Sequence, residues 1–485
     1  MKKYIFTTGT ALIFAIALNA QNDIDAMRYS QITFGGTARF ASMAGSMGAL
    51  GGDISTLSFN PAGIAIFKKT ELSITPSVFG QTTTSTYNGT TSSDRKLNFN
   101  LGNIGLVASI NLLSDKNTSG WENVNFGFGY NRTNNFHNWV SIEGDNKSSS
   151  MLDAFVADAN GQNYSTFDGF STDLAWQTYL INPSTDTTTY LQYTHVAPNY
   201  GIKQKKSIET TGSMGETVIS FGGNYKSKLY LGGTIGIVST KYFEESIYEE
   251  IDATDTIANF KSFEYVQDLD TKGNGVNLKL GAIIRPNDWF RVGVAFHTPT
   301  ALSLRDDYSS TMKSDLDGVK YSAGDSLKGS FNYRITTPYR AIASVGFIIN
   351  KIALLNIDYE YADYSSAQLH AHPSSTFSNV NKLIRDKYTA TGNLRIGAEV
   401  RLDPIAIRAG YALYGSPFKT GENTNAARTS FTAGIGYRHD FYFIDFAYVH
   451  TQYTEHNYLY DTPKATSVEN KYKNSSFMLS LGFRF

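Results

Sequence analysis

The amino-acid sequence predicts an all-β fold: a transmembrane barrel of about fourteen antiparallel strands, closed from within by an N-terminal hatch, or plug. Three observations carry this. Apolar residues recur at every second position over long stretches, the connections between stretches alternate between very short and long, and a Gly-rich segment precedes them all. Period-two alternation places one set of side chains on each face of a sheet. One set here is large and aromatic, while the other holds Arg, Glu, Asp, Gly and Thr, as a wall between lipid and a polar lumen requires.

Four strand pairs show the pattern most clearly. Val276-Leu278-Leu280-Ala282-Ile284 turns at Arg285-Pro286-Asn287-Asp288 and returns as Phe290-Val292-Val294-Phe296. Ala343-Val345-Phe347-Ile349 turns at Asn350-Lys351 and returns through Leu355-Ile357-Tyr359-Tyr361. Leu394 to Leu402 turns at Asp403-Pro404 into Ile405-Ile407-Ala409-Tyr411, and Phe431 to Tyr437 turns at His439-Asp440 into Tyr442-Ile444-Phe446-Tyr448.

In chain order, residues 1–20 read as a secretory signal: Lys2 and Lys3 precede an apolar run from Thr10 to Ala20, with the cut before Gln21. Residues 21–69 hold Gly35, Gly36, Gly45, Gly48, Gly51 and Gly52 among Ala, Ser and Met, a composition that packs closely in a confined space and supplies no lipid-facing strand. They form the predicted hatch, and residues 70–485 the barrel. Its first strands are predicted at Glu71–Phe79, Leu101–Leu112, Glu122–Asn131, Glu216–Tyr225 and Lys228–Thr240, and its last at Ser476–Phe485. Long loops are expected near 80–100, 132–215, 241–274, 298–338, 364–388, 414–428 and 452–475. Within the second, Met151, Leu152, Phe155, Val156 and Ala159 fall at helical spacing and predict a short helix that packs on its own loop. An even strand number puts both chain ends at the face of the short turns, which is expected to be periplasmic.

Composition agrees. A hydrophobic fraction of 41% with no mature run of about 20 apolar residues argues against spanning helices, and 31 Tyr with 31 Phe suit two interfacial girdles. The chain has no Cys, which excludes disulfides, thiolate metal sites and a lipid anchor on Cys. A formal charge of −1 gives no basis for nucleic-acid binding.

Strand parity turns Arg291, Arg395, Glu399, Arg401, Arg408, Arg438 and Arg484 into the lumen, with Asp358, Glu360 and Asp445. The plain reading is that these charges pair with one another or with the hatch. The sharper one makes Arg395, Arg408 and Arg438 candidates for gripping a ligand carboxylate, since guanidinium matches carboxylate bidentately. His370-Ala371-His372, and His450 with His456, give too few ligands for a metal centre. No Ser, His and acid spacing marks a hydrolase, so no catalytic residue, cofactor or metal is assigned.

Arg39 to Asp53, Leu57 to Ala65 with Asn60-Pro61-Ala62, Ser220 to Tyr225, Arg291 to Thr300 and Gly410 to Phe418 resemble the FadL/OmpP1/TodX family of hydrophobic-compound transporters, in its Bacteroidetes-type branch. The resemblance implies a fourteen-stranded outer-membrane barrel and makes Asn60, Pro61 and Ala62 hatch residues. It also implies passive uptake of long-chain fatty acids or other hydrophobic molecules, released sideways into outer-membrane lipid through a gap at the third strand, by a protein acting as a monomer. Gly127 and Gly129, on the lumen side of that strand, become the lateral-gate candidates, with room for the hatch as their alternative role. The alternative function is an assembly or shuttle component of a protein secretion system.

Overall fold

The computed structural model describes residues 22–112, 119–184, 191–198, 200–419 and 421–485; the predicted signal segment lies outside them. Fourteen wall strands close into a ring: β1 (Glu71–Tyr87), β2 (Thr90–Asn111), β3 (Trp121–Asn135), β4 (Ile202–Tyr225), β5 (Leu229–Ile251), β6 (Ser262–Ile284), β7 (Phe290–His297 with Ala301–Leu316), β8 (Lys328–Thr336 with Arg340–Ile349), β9 (Ala353–Asp363), β10 (Ala390–Leu402), β11 (Ile405–Tyr414), β12 (Arg428–Arg438), β13 (Tyr442–Tyr458) and β14 (Ser467–Arg484). Each is antiparallel to the next, and β14 closes on β1 through pairs from Glu71↔Arg484 to Thr86↔Glu469. Strands β7 and β8 are each interrupted at a proline, Pro299 and Pro338, whose missing N–H cannot join a ladder.

The faces are those the alternation predicts. Val276, Leu278, Leu280 and Ile284, Ile407, Phe431 and Ile435, and Phe477, Leu479, Leu481 and Phe483 are all exposed on the outer surface. Their inward neighbours Asn277, Lys279, Arg408, Thr432, Met478 and Ser480 are buried.

The predicted loop boundaries need correction at one end. Residues 80–100 form a continuous hairpin turning at Asn88-Gly89, and most of 241–274 and 298–338 is also strand. The apolar alternation stops where the wall leaves the lipid, but the backbone ladder does not. Hydrogen-bond pairing continues past the apolar band with mostly polar side chains outside, from Ile237 to Ile251 on β5 and from Val276 back to Ser262 on β6, and that signal is absent from a hydrophobic pattern.

The described residues between 136 and 201, together with the long hairpins, build a second apolar core beyond the lipid-facing band. Strand Asn138–Asn146 pairs with β4 from Asn138↔Thr210 to Asn146↔Ile202. The predicted helix, at Leu152–Ala159, buries Leu152, Phe155 and Ala159 against Tyr87, Tyr248, Phe263, Met312 and Tyr460. These partners come from β1, β5, β6, β7 and the tip that follows β13, so this segment caps much of the mouth.

The hatch runs the length of the lumen. Helix Asp23–Ser30 lies at the long-hairpin end, where Asp23 accepts from Lys387 Nζ (2.7 Å) and Tyr388 Oη (2.6 Å) beside helix Ser378–Lys387. The chain then descends through Gln31–Gly35 and folds into short helices at Ala38–Ser42, Ile54–Ser58 and Pro61–Ile66 before entering β1. The strand bundle does start and finish at one end, where Phe485 N–H donates to Thr70 O at 3.0 Å. The expectation that the processed N-terminus also lies at that end is overturned, because Asn22 caps the helix at the opposite end.

Candidate functional site: the hatch, a lumen cavity and a wall seam

Several of the lumen charges named from strand parity, joined by Arg340, which parity had not named, hold the hatch. Arg39 of the hatch donates through Nε to Glu399 Oε2 (2.9 Å), and Arg408 reaches the same carboxylate (2.6 Å) and Asp445 (2.7 Å). Asp358 accepts from the backbone N–H groups of Met47 and Gly48, both at 3.2 Å. Arg291 donates to Leu50 O (2.9 Å), and Arg340 donates to Ser30 O and to Glu360 (2.5 Å). Removing water from so many charges is costly, and here each is compensated by a fixed partner of opposite sign or by backbone dipoles.

Asn60, Pro61 and Ala62 occupy a bay in the wall. Asn60 caps helix Pro61–Ile66, accepting from Ala62 N–H at 3.1 Å, and its Nδ2 donates to Gly48 O at 2.6 Å, which ties two hatch turns together. Proline at the helix start loses no hydrogen bond there. The bay exists because the wall carries glycines opposite: a Cβ on Gly281 would lie 2.0 Å from Asn60 Oδ1, and one on Gly232 would lie 2.2 Å from Pro61 O.

Gly127 follows the same rule. A Cβ at Gly127 would stand 2.9 Å from both Leu57 and Ile64 of the hatch. The wall is fully paired at both: Gly127 faces Val107 and Ser220, and Gly129 faces Gly105 and Val218, in unbroken ladders. The structure therefore places no gap at these two residues: Gly127 makes room for the hatch, whereas a Cβ at Gly129 would meet the wall first, Ile104 O at 3.1 Å, with Ile54 of the hatch at 3.6 Å.

The break in pairing lies further along the same strand. Strands β2 and β3 pair from Asn111↔Asn123 to Asn103↔Asn131 and then part. Beyond Asn103, β2 continues on β1 alone, while β3 follows β4 to Asn135↔Ser213. Both ladders shift register at the parting, between Thr75 and Pro76 and between Arg132 and Asn134. Side chains bridge the resulting seam. Asn98 meets His137 at 3.0 Å and accepts from Asn135 Nδ2 at 3.2 Å, Arg132 Nε donates to Leu101 O at 3.2 Å, and Lys96 donates to Glu209 at 2.6 Å. On the lipid side of the seam stand Leu97, 59% exposed, and Phe99, 76% exposed.

A cavity of about 170 Å³ lies directly behind the seam, between hatch segment Gln31–Gly35 and the wall. Asn100, Arg132 and Asn135 form its seam side; Phe34, Tyr414, Val449 and Met478 supply apolar wall. Three of its lining residues carry a buried side-chain oxygen with no partner among the described residues: Asn393 Oδ1, Tyr414 Oη and Asn474 Oδ1.

None of the three arginines proposed for a ligand carboxylate lines this cavity. Arg408 and Arg438 are committed to Asp445, at 2.7 and 3.0 Å. Arg395 pairs with Glu360 at 3.3 Å and lies over the Phe59 ring of the hatch, although its Nε and one Nη have no hydrogen-bond partner. The cations that do line the cavity are Arg132 and Arg428, the latter paired with Glu455 at 3.2 Å. Arg428 was legible: it stands an odd number of residues from outward Phe431, but the apolar alternation used to find that strand begins only at Phe431.

Wall strands β4 to β14, eleven of the fourteen, fall within residues 202–485, which match the family described as outer membrane protein transport protein (OMPP1/FadL/TodX). No curated protein matches the chain. Among solved structures, a Pseudomonas aeruginosa FadL homologue superposes with a TM-score of 0.56 at 14% identity, over 94% of this chain and 100% of that one. The P. putida toluene transporter TodX gives 0.55 at 14% identity, over 93% and 99%, and the CymD monoaromatic hydrocarbon channel 0.51 at 12%, over 93% and 98%. These identities establish a shared fold, and the family match spans more than half of the sequence. The chain is thus a member of the OMPP1/FadL/TodX family of outer-membrane transport proteins, built as a plugged fourteen-stranded barrel.

Proposed function

We propose that the protein takes up small hydrophobic molecules passively across the outer membrane, holding them in the cavity between hatch segment Gln31–Gly35 and the wall and releasing them sideways through the β2/β3 seam. The observation that carries this reading is the contact between the two: Asn100, Arg132 and Asn135 belong to both cavity and seam. An apolar molecule that leaves at this level enters lipid beside Leu97 and Phe99 without crossing the polar, ion-paired hatch, which would expose it to groups it cannot solvate.

Cavity size narrows the cargo. A dry cavity of about 150 Å³ accepts benzene, so the roughly 170 Å³ here takes one ring-sized apolar body as it stands. A long-chain fatty acid would place only part of its chain there, with the remainder in the seam. The unpartnered oxygens of Asn393, Tyr414 and Asn474 suit a polar end that donates hydrogen bonds, such as a hydroxyl or a protonated acid. None of the comparisons supports the alternative as a component of protein secretion.

The chain contains no Cys, so pairs can be introduced cleanly. Cross-linking Asn98→Cys to His137→Cys with a short bifunctional reagent should abolish uptake of a labelled monoaromatic and a labelled long-chain fatty acid into proteoliposomes, with barrel insertion intact. Uptake at the uncross-linked rate with the seam locked overturns lateral release. Tyr414→Trp, which fills the cavity, should lower uptake with the seam free; unchanged uptake overturns the cavity assignment.

A further inference from the structure

The outer surface carries a pattern that the uptake route does not use. On β6 the lipid-facing residues run Ile284, Ala282, Leu280, Leu278, Val276, then Asn274, then Lys272. On β5, Ile237 is followed by Ser239 and Lys241; on β7, Ala301 by Ser303 and Arg305; on β14, Phe477 by Ser475 and Lys473; on β2, Phe99 and Leu97 by Arg95. On each of these five strands the first charged outward residue past the apolar band is a cation, four positions from the last apolar residue at Ile237, Val276, Ala301 and Phe477 and two from Leu97.

Register aligns these cations in two rows. Lys241 stands opposite Lys272, and Lys272 opposite Arg305, on three adjacent strands. Across the barrel, Lys473 and Arg95 flank Thr82 at one level. All five are exposed. Like charges placed directly across a ladder destabilise it, so the row does not serve the sheet. Lys272 and Arg305 do touch acids, Asp270 at 2.5 Å and Asp307 at 2.9 Å, but both cationic side chains stay 58% exposed. Ion pairs of that exposure contribute little.

The acids form a row of their own, two positions further from the lipid, with Asp270 opposite Asp307. An anion approaching from the lipid side meets the cation row first and is repelled by the acid row beyond it. Four residues span roughly 13 Å along the strand and two roughly 7 Å; with strands tilted about 40° from the barrel axis these are rises of about 10 Å and 5 Å, at the polar zones that add about 5 to 8 Å on each side of the core.

We propose that the Lys241–Lys272–Arg305 row and the Arg95–Lys473 pair form a belt that seats the phosphate groups of an outer-leaflet glycolipid and fixes the depth of the barrel. The proposal rests on the long hairpins facing outward. Its binding test does not depend on that orientation, which surface labelling decides separately.

Full-length protein purified in a nonionic detergent would be titrated with diphosphorylated lipid A, or with the same lipid stripped of its phosphates, and bound lipid counted by native mass spectrometry. Lys241→Gln/Lys272→Gln/Arg305→Gln should weaken phosphorylated-lipid binding at least tenfold, and added salt should weaken the parent similarly. Lys226→Gln/Lys228→Gln/Lys351→Gln, at the short-turn end, should leave it unchanged. Heat-modifiable migration on gels reports folding; if the triple variant fails to fold, Arg95→Gln/Lys473→Gln tests the second row by the same readout. Equal binding of both lipids by the parent, or undiminished binding by a folded belt variant, overturns the proposal.

Discussion

Arg39 of the hatch and Glu399 of β10 lie 360 residues apart in sequence and join at 2.9 Å, with Glu399 1% exposed and shared by Arg408 and Arg401. The pair converts a loose internal segment into a fixed stopper. Removing Arg39 leaves Glu399 paired with Arg408 and Arg401, so the loss stays below the roughly 3–5 kcal/mol of a stranded buried charge and falls on the hatch, which loses its anchor. Arg39→Ala should therefore unseat the lower hatch and raise leakage of small polar solutes from proteoliposomes. Leakage equal to the parent, with the barrel inserted, would show that the other contacts hold the hatch without it.

The glycine bay predicts strong position dependence. Gly281→Ala drives a methyl into Asn60 Oδ1, which accepts from Ala62 N–H while Nδ2 of the same amide donates to Gly48 O, so the side chain is pinned at both atoms. Overpacking of this kind costs about 1–3 kcal/mol, and thermal unfolding should shift downward accordingly. Gly169→Ala, with no atom within 4 Å of the added carbon, should leave it unchanged. Equal midpoints for the two variants would contradict the bay.

Acidity should tighten the upper hatch. Burial pushes the Asp25 carboxyl up to about 7, aided by Asp306 and Glu244 and opposed by Arg28 and the Asn22 backbone. A carboxyl whose pKa is raised on folding contributes stability that is fully present below the unfolded value and is lost as pH climbs through the folded one. Between pH 4 and 7, then, the seat of helix Asp23–Ser30 weakens as pH rises. Hydrogen exchange in residues 23–30 should be faster at pH 8 than at pH 5 after correction for intrinsic rates, and Asp25→Asn should flatten that difference. A parent profile without pH dependence would remove Asp25 from the latch.

Orientation is open to a direct measurement. A single Cys at Asn88, on the exposed β1/β2 hairpin tip, should react with a membrane-impermeant maleimide on intact cells. One at Lys351, in the short β8/β9 turn, should react only after the outer membrane is permeabilised. The reverse pattern would invert the barrel and with it the outer-leaflet proposal.

Period-two alternation determined the wall from sequence alone, because a side chain between lipid and lumen has only two faces to choose from and each demands opposite chemistry. Leu278 and Ile407 outside, with Arg408 and Glu399 inside, followed directly. Gly and Asn60-Pro61-Ala62 likewise announced a tightly packed hatch segment. What the alternation could not supply was everything beyond the apolar band, since ladder pairing of polar stretches such as Thr90–Lys96 leaves no hydrophobic period. Nor could it supply partners. Parity turned Arg395, Arg408 and Arg438 toward the lumen, but only three-dimensional packing decided that acids and the hatch would claim them while Arg132 and Arg428 reached the cavity. The seam was decided in the same way: a break between β2 and β3 depends on where two ladders shift register against different neighbours, at Pro76 and at Arg132, and no single strand records that in its own sequence.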